Sequence, residues 1–135
     1  MIGAMPDPDY VAFMPFAQLL GITISTVGSD EVVGALDWAE DRATTGGVMH
    51  GGALMSLADS VGAVCAFLNV PDGATTSTTS SSTVFLRGVR SGTVIATARP
   101  IHVGRSTIAV VTELRDADDR PVAQVTQTQA VLAAS

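Results

Sequence analysis

The stretch from His50 to about Asn69 most constrains what this chain can fold into. After His50, Gly51 and Gly52 come Leu54, Leu57, Ala58, Val61, Val64, Cys65 and Leu68 at three- and four-residue spacing. That is the period of a helix with a broad buried face, and Pro71 stops it. Between Arg42 and Asp72 only Asp59 carries a formal charge. A long apolar helix of this kind must be covered, and the rest of the chain offers strands to cover it.

Residues 22–38 read as a hairpin: Ile22, Ile24 and Thr26 alternate with Thr23, Ser25 and Val27, Gly28, Ser29 and Asp30 signal a turn, and residues 32–38 resume as strand. Residues 41–49 are loop-like. After the helix, strands are expected at 75–87, 93–103, 106–115 and 122–132, with breaks at 88–92, 104–105 and 116–121. Short breaks predict antiparallel neighbours. Residues 75–83 are all Thr or Ser. That composition also suits a linker, but threonine favours strands and the tract runs straight into Val84, Phe85 and Leu86. Near the start, Tyr10, Phe13, Met14 and Phe16 lie among Pro6, Pro8 and Pro15, followed by a short helix near residues 17–20 that ends at Gly21. The expected fold is α+β: one antiparallel sheet of five to six strands against one long helix, in a single domain 1–135 with residues 1–14 as an N-terminal extension.

Charge narrows the function. The net charge is −6, which argues against nucleic acid as a partner. Residues 73–112 hold no acid but contain Arg87, Arg90, Arg99 and Arg105, so this segment is +4 and the remainder is −10. All seven bases are Arg, a side chain suited to phosphate; scattered surface arginines are the alternative. One cysteine, Cys65, cannot form an internal disulfide and reads as a small buried hydrophobe. The first residues lack a basic, then apolar, export signal, and the apolar run around residues 54–70 is interrupted by Asp59. The expectation is a cytoplasmic protein without a membrane partner. Two histidines, His50 and His102, without a Cys or carboxylate cluster, give no metal site.

Asp59 is the chemical centre of the sequence. A carboxylate buried in an apolar helix is costly unless it is used. On an ordinary exposed stripe several charged residues would accompany it, and here none does. Three and four residues away lie Met55, Ser56, Gly62 and Ala63, with Ala66 further along the same face; they are mostly small, which lets a ligand or another backbone approach. His50, Gly51 and Gly52 open the same helix, where unpaired N–H groups and the positive dipole end could polarise a substrate oxygen. The alternative is a helix-start turn in which glycine relieves strain and His50 only caps or orients the loop.

The run from Gly47 to Asp59, with His50-Gly51-Gly52 and then Asp59 nine residues after the histidine, resembles the PaaI-type acyl-CoA thioesterases of the hotdog fold. Phe85-Leu86-Arg87-Gly88, Gly104-Arg105-Ser106, Arg115 to Ala123 and Thr126 to Thr128 resemble later parts of the same pattern, so the likeness spans roughly residues 15–132. The resemblance implies a sheet wrapped around the central helix and a homodimer or homotetramer. It implies an active site between two subunits, with His50 and Gly51 from one and Asp59 from the other. Many relatives carry Asn six residues before the histidine; here that position is Thr44, a departure at a position usually assigned to placing water or carbonyl. Thr78, with Ser77 close by, matches the Ser or Thr that helps place water.

The activity expected is hydrolysis of an acyl-CoA carrying an aryl or medium-chain acyl group, with coenzyme A part of the substrate and no separate cofactor. A thiolate leaving group, with a pKa of roughly 8.5 by analogy with cysteine, needs little acid assistance. Asp59 would act as general base or nucleophile, and the Gly51 N–H would polarise the carbonyl. Arg87, Arg90 and Arg105, with Gly104 and Ser106, are the candidates for the CoA phosphates. Phe13, Phe16, Phe67 and Met55 line the acyl pocket or belong to the core. Competing readings are a non-catalytic acyl-CoA-binding module, a hydratase or dehydratase, for which no Asp–His pair is found within the helix, and an interaction module whose small-residue helix face only dimerises.

Overall fold

The computed structural model describes residues 8–134. Residues 1–7, the first half of the expected N-terminal extension and the basis for expecting no export signal, lie outside the described residues. A 3-10 turn (Tyr10–Phe13) leads into α1 (Pro15–Leu20). Proline stands in its first turn, where the missing N–H costs nothing, and Gly21 closes it in the left-handed region at φ 84°. Then come β1 (Thr23–Val27), β2 (Val32–Asp37), the long helix α2 (Gly51–Phe67), β3 (Thr75–Phe85), β4 (Thr93–Val103), β5 (Thr107–Arg115) and β6 (Pro121–Leu132). The Thr/Ser tract is strand, as its run into Val84 and Phe85 implied.

The six strands form one antiparallel sheet in the order β1-β2-β4-β5-β6-β3. This corrects the expectation that each short break joins neighbours. β3 pairs with β6, not with β4, and stands at the sheet edge. Residues 86–92 carry the chain across β6 and β5, about 14 Å at the usual ~4.8 Å strand spacing. Seven residues reach up to roughly 23 Å, so break length did not force adjacency. The backbone N–H groups of Leu86 and Arg87 both donate to Val122 O, and Met49 N–H donates to Val89 O, which ties this crossing to the sheet and to the loop before α2.

α2 packs on one face of the sheet, touching β2, β3, β4, β5 and β6. Its buried residues, including Leu54, Leu57, Ala58, Val61, Val64 and Cys65, face inward positions of the strands: Val32 and Leu36, Val94, Ala96 and Ala98, Ile108, Val110 and Leu114, and Val125. The alternation of β5 and the small alanines of β4 let the sheet come close to the helix. Cys65 lies in this layer with its thiol directed at the Ala98 carbonyl, and burial, with Asp30 adding, pushes its pKa up to about 11. Among the described residues no helix is long and apolar enough to cross a membrane.

Candidate active site

α2 begins where its first N–H groups find different fates. His50 is extended at φ −60° and ψ 133°, and its Nδ1 accepts the Gly52 N–H at 2.8 Å. The histidine therefore caps the helix, and a neutral ring keeps its proton on Nε2. Ala53 and Leu54 N–H both donate to His50 O. Among the described residues the Gly51 N–H has no acceptor. It is the one first-turn donor left open at the positive end of a 17-residue helix.

Asp59 corrects the expectation of burial: within the single chain it is exposed. The inward stripe of α2 takes Leu54, Leu57, Ala58, Val61 and Cys65, and Asp59 stands off that stripe. It does not hang free in solvent. Gln127 Nε2 donates to Asp59 Oδ1 at 2.6 Å, and Thr78 Oγ1 lies 3.5 Å from the same oxygen. Gln129 Nε2 in turn donates to Thr78 Oγ1 at 2.7 Å. Both glutamines are buried, at 0% and 1% exposure. The pairing of β3 with β6 brings them together, and a bulge between Thr78 and Ser80 shifts the local register there.

Gln127 reaches Asp59 across Gly62. A Cβ at Gly62 would overlap the Gln127 carboxamide oxygen and stand 3.4 Å from Thr112 Oγ1. That Gln127 oxygen and Thr112 Oγ1 are both buried without a hydrogen-bond partner. Such an unmet group costs about 1–3 kcal/mol.

One helical turn beyond Asp59 opens an apolar cavity of about 480 Å³, lined by Tyr10, Phe13, Met14, Ala63, Phe67 and Thr76 among others. None of the described residues that line it is charged. Tyr10 and Phe67 meet edge to face at 6.4 Å between ring centroids. Phe13 and Phe67 are thus pocket residues. Phe16 lines a separate groove with Arg42, His50, Gly52 and Ser56, and Met55 is exposed.

Thr78 is brought to Asp59, whereas Thr44 is not. Thr44 sits before a 3-10 turn (Thr45–Gly47), its N–H bonded to Val48 O at 2.7 Å, and no hydrogen bond joins its side chain to α2. The arginines are split. Arg87 and Arg90 follow β3, near the end of the sheet where α2 begins, and Arg90 donates to Gly46 O at 2.9 Å. Gly104, Arg105 and Ser106 form the turn at the opposite end of β4, a strand of 11 residues, about 36 Å away. One chain does not bring both groups to one phosphate. Arg99 is occupied by Glu31 at 2.8 Å. No group of three His, Cys, Asp or Glu side chains converges among the described residues.

Gln127, Gln129 and Thr76 escaped the sequence reading. A signal existed: once Val125 is an inward residue of β6, residues 127 and 129 must also point inward, and both are glutamine.

The chain is similar in sequence and fold to known proteins. A sequence model of the thioesterase superfamily matches residues 46–123. A Mycobacterium tuberculosis protein named "Putative esterase Rv1847" is 32% identical over 126 residues, covering 88% of this chain and 90% of that protein. The crystal structure of a mutant of thioesterase PA1618 from Pseudomonas aeruginosa is similar with a TM-score of 0.88 at 29% identity, over 96% of each chain. That of thioesterase HI1161 from Haemophilus influenzae gives 0.87 at 27% identity, over 93% of this chain and 87% of that one.

Proposed function

Because this chain belongs to the thioesterase superfamily and has its hotdog fold, we propose that it hydrolyses acyl-CoA thioesters carrying an aryl or medium-chain acyl group. The observation that carries this reading is Asp59, oriented by a buried glutamine and placed one helical turn from an apolar cavity. The acyl group enters that cavity, whose volume falls within the roughly 300–1,000 Å³ of ordinary small-molecule sites. Asp59 either removes a proton from water as the water attacks the thioester carbon, or attacks that carbon itself to give an anhydride that water then opens. In both cases the C–S bond breaks, CoA leaves as thiolate, and the acyl group departs as a free acid. Thr78 Oγ1, beside the Asp59 carboxylate, helps hold the water.

The oxyanion donor comes from a second copy of the chain. Eight residues of helix separate Gly51 from Asp59, about 12 Å along the axis at ~1.5 Å per residue. A carbonyl polarised by one and attacked through the other must have both within roughly 3 Å of its reacting atoms. One chain does not supply this; two do. The β3 edge is the surface that joins them. It runs 11 residues with neither charge nor proline, the devices that normally blunt an exposed edge. The other edge, β1, is only five residues long and irregular. A homodimer through β3 brings the Gly51 N–H of one copy towards Asp59 of the other, and a homotetramer pairs two such dimers. Arg87 and Arg90 of one chain, or Arg105 with Gly104 and Ser106 of another, meet the CoA phosphates. The single cysteine, Cys65, is a buried free thiol, and the cytoplasm is the compartment proposed.

The test is Asp59→Asn, which keeps shape and removes charge, assayed with short, medium, long and aryl acyl-CoAs. The expected result is hydrolysis of aryl or medium-chain substrates by the wild type and a loss of kcat of at least about 10²-fold in the variant. Equal rates for the two proteins would remove Asp59 from the chemistry.

A further inference from the structure

We propose that Gln127 is a positioning residue for the thioesterase reaction: its buried carboxamide fixes the Asp59 carboxylate so that Oδ2 is the oxygen presented to water or thioester. This deepens the role proposed for Asp59 and rests on it. The geometry is specific. The Nε2 donor lies 2.6 Å from Oδ1, and the same oxygen is 3.5 Å from Thr78 Oγ1. No hydrogen bond engages Oδ2 among the described residues.

Stability alone does not account for a glutamine here. Position 127 is wholly buried on the inward face of β6, between the buried Val125 and the buried Gln129. An apolar residue would pack there without leaving an oxygen unmet. The chain instead keeps a carboxamide whose Oε1 has no partner, next to an equally unpartnered Thr112 Oγ1, and it gives up the side chain of residue 62 to make room. Among the described residues the group that gains is Asp59. Gln129, through Thr78, braces the same carboxylate from the second side.

The local charges make the effect readable. α2 carries no titratable side chain besides Asp59 and the buried Cys65, and α1, β3 and β6 carry none. On β5, Glu113 and Arg115 alternate with the inward residues and pair with each other. On β4, Arg99 is exposed and paired with Glu31, and His102 is exposed; on β2, exposed Asp37 accepts from Thr93. Gln127 and Thr78 are therefore the groups that fix the carboxylate's orientation.

The experiment is Gln127→Met in the full chain, with kcat and KM measured across pH on a substrate the wild type hydrolyses, beside Asp59→Asn. Expected are a fall in kcat of about 10- to 100-fold with KM changed less than about twofold. A merely structural role would not separate kcat from KM in a variant that melts as the wild type does. Wild-type kcat in Gln127→Met, with Asp59→Asn inactive, would overturn the inference while leaving Asp59's role intact. An active Asp59→Asn would sink both together. Should Gln127→Met fail to fold, Gln127→Glu decides, because it keeps length and shape but puts an acceptor where the donor to Asp59 stood. Its kcat should fall by at least as much, and a wild-type kcat overturns the proposal.

Discussion

The ring of Phe85 lies against Gly51, so close that a Cβ on Gly51 would stand 3.1 Å from the Phe85 Cζ. Glycine here has two consequences: it admits the end of β3 over the helix start, and it leaves the Gly51 N–H clear of its own side chain.

Gly51→Pro tests the N–H apart from the helix. Proline is well tolerated at the first helical position, and His50 before it is already extended. Phe85 is half-exposed and can yield the few tenths of an ångström required. The variant should fold and lose about 10²- to 10³-fold in kcat, the usual worth of one oxyanion donor. Mixed and refolded with Asp59→Asn, it should regain about a quarter of wild-type activity, because half of the dimers are mixed and each holds one intact site of two. No recovery on mixing would place both groups in one chain's site.

Ala63→Leu narrows the apolar cavity from the helix side. Ala63 lines it directly, one turn from Asp59. Discrimination by an apolar pocket runs at about 1–3 kcal/mol per methylene. The variant should therefore lose ~10-fold or more in kcat/KM on medium-chain and aryl substrates and keep its rate on acetyl-CoA. Equal losses on every substrate would mean that the acyl group lies elsewhere.

Asp116, in the β5–β6 turn, gives a stability effect independent of catalysis. Its carboxylate accepts the Arg120 N–H at 2.9 Å, the Arg120 Nε at 2.9 Å and the Asp118 N–H at 3.0 Å. These donors, the Arg120 backbone foremost, hold its pKa below the ordinary 3.8. Since the folded value is the lower one, the stabilisation is complete above the unfolded value and is lost as pH falls through the folded value. Asp116→Asn should melt at a lower temperature than wild type at neutral pH, with the two curves converging once the pH is low enough to protonate the folded carboxylate. A gap that persists or grows in acid would contradict the assignment.

The helix was legible because apolar residues recur at its period over four turns, and the strands because each run is bounded by Gly, Pro or Asp. Sheet order was not. Nothing in residues 86–92 says that β3 crosses two strands to reach an edge, because a seven-residue link is long enough for either route. Asp59 stood out as a solitary charge, yet its exposure was misjudged: an apolar face of α2 can await a second chain as well as a sheet, and one sequence does not separate the two. Gln127 was hidden because its role depends on β6 lying beside α2, a contact between residues 68 apart.

The lack of room for a side chain at Gly62 beside Gln127 ties two distant sites of variation together. Descent cannot change them independently: a methyl gained on the helix forces a shorter side chain on the last strand, and the carboxylate one turn away then loses its clasp. Across relatives of this chain the two positions should drift as a pair, with glycine and glutamine kept or surrendered in the same lineages.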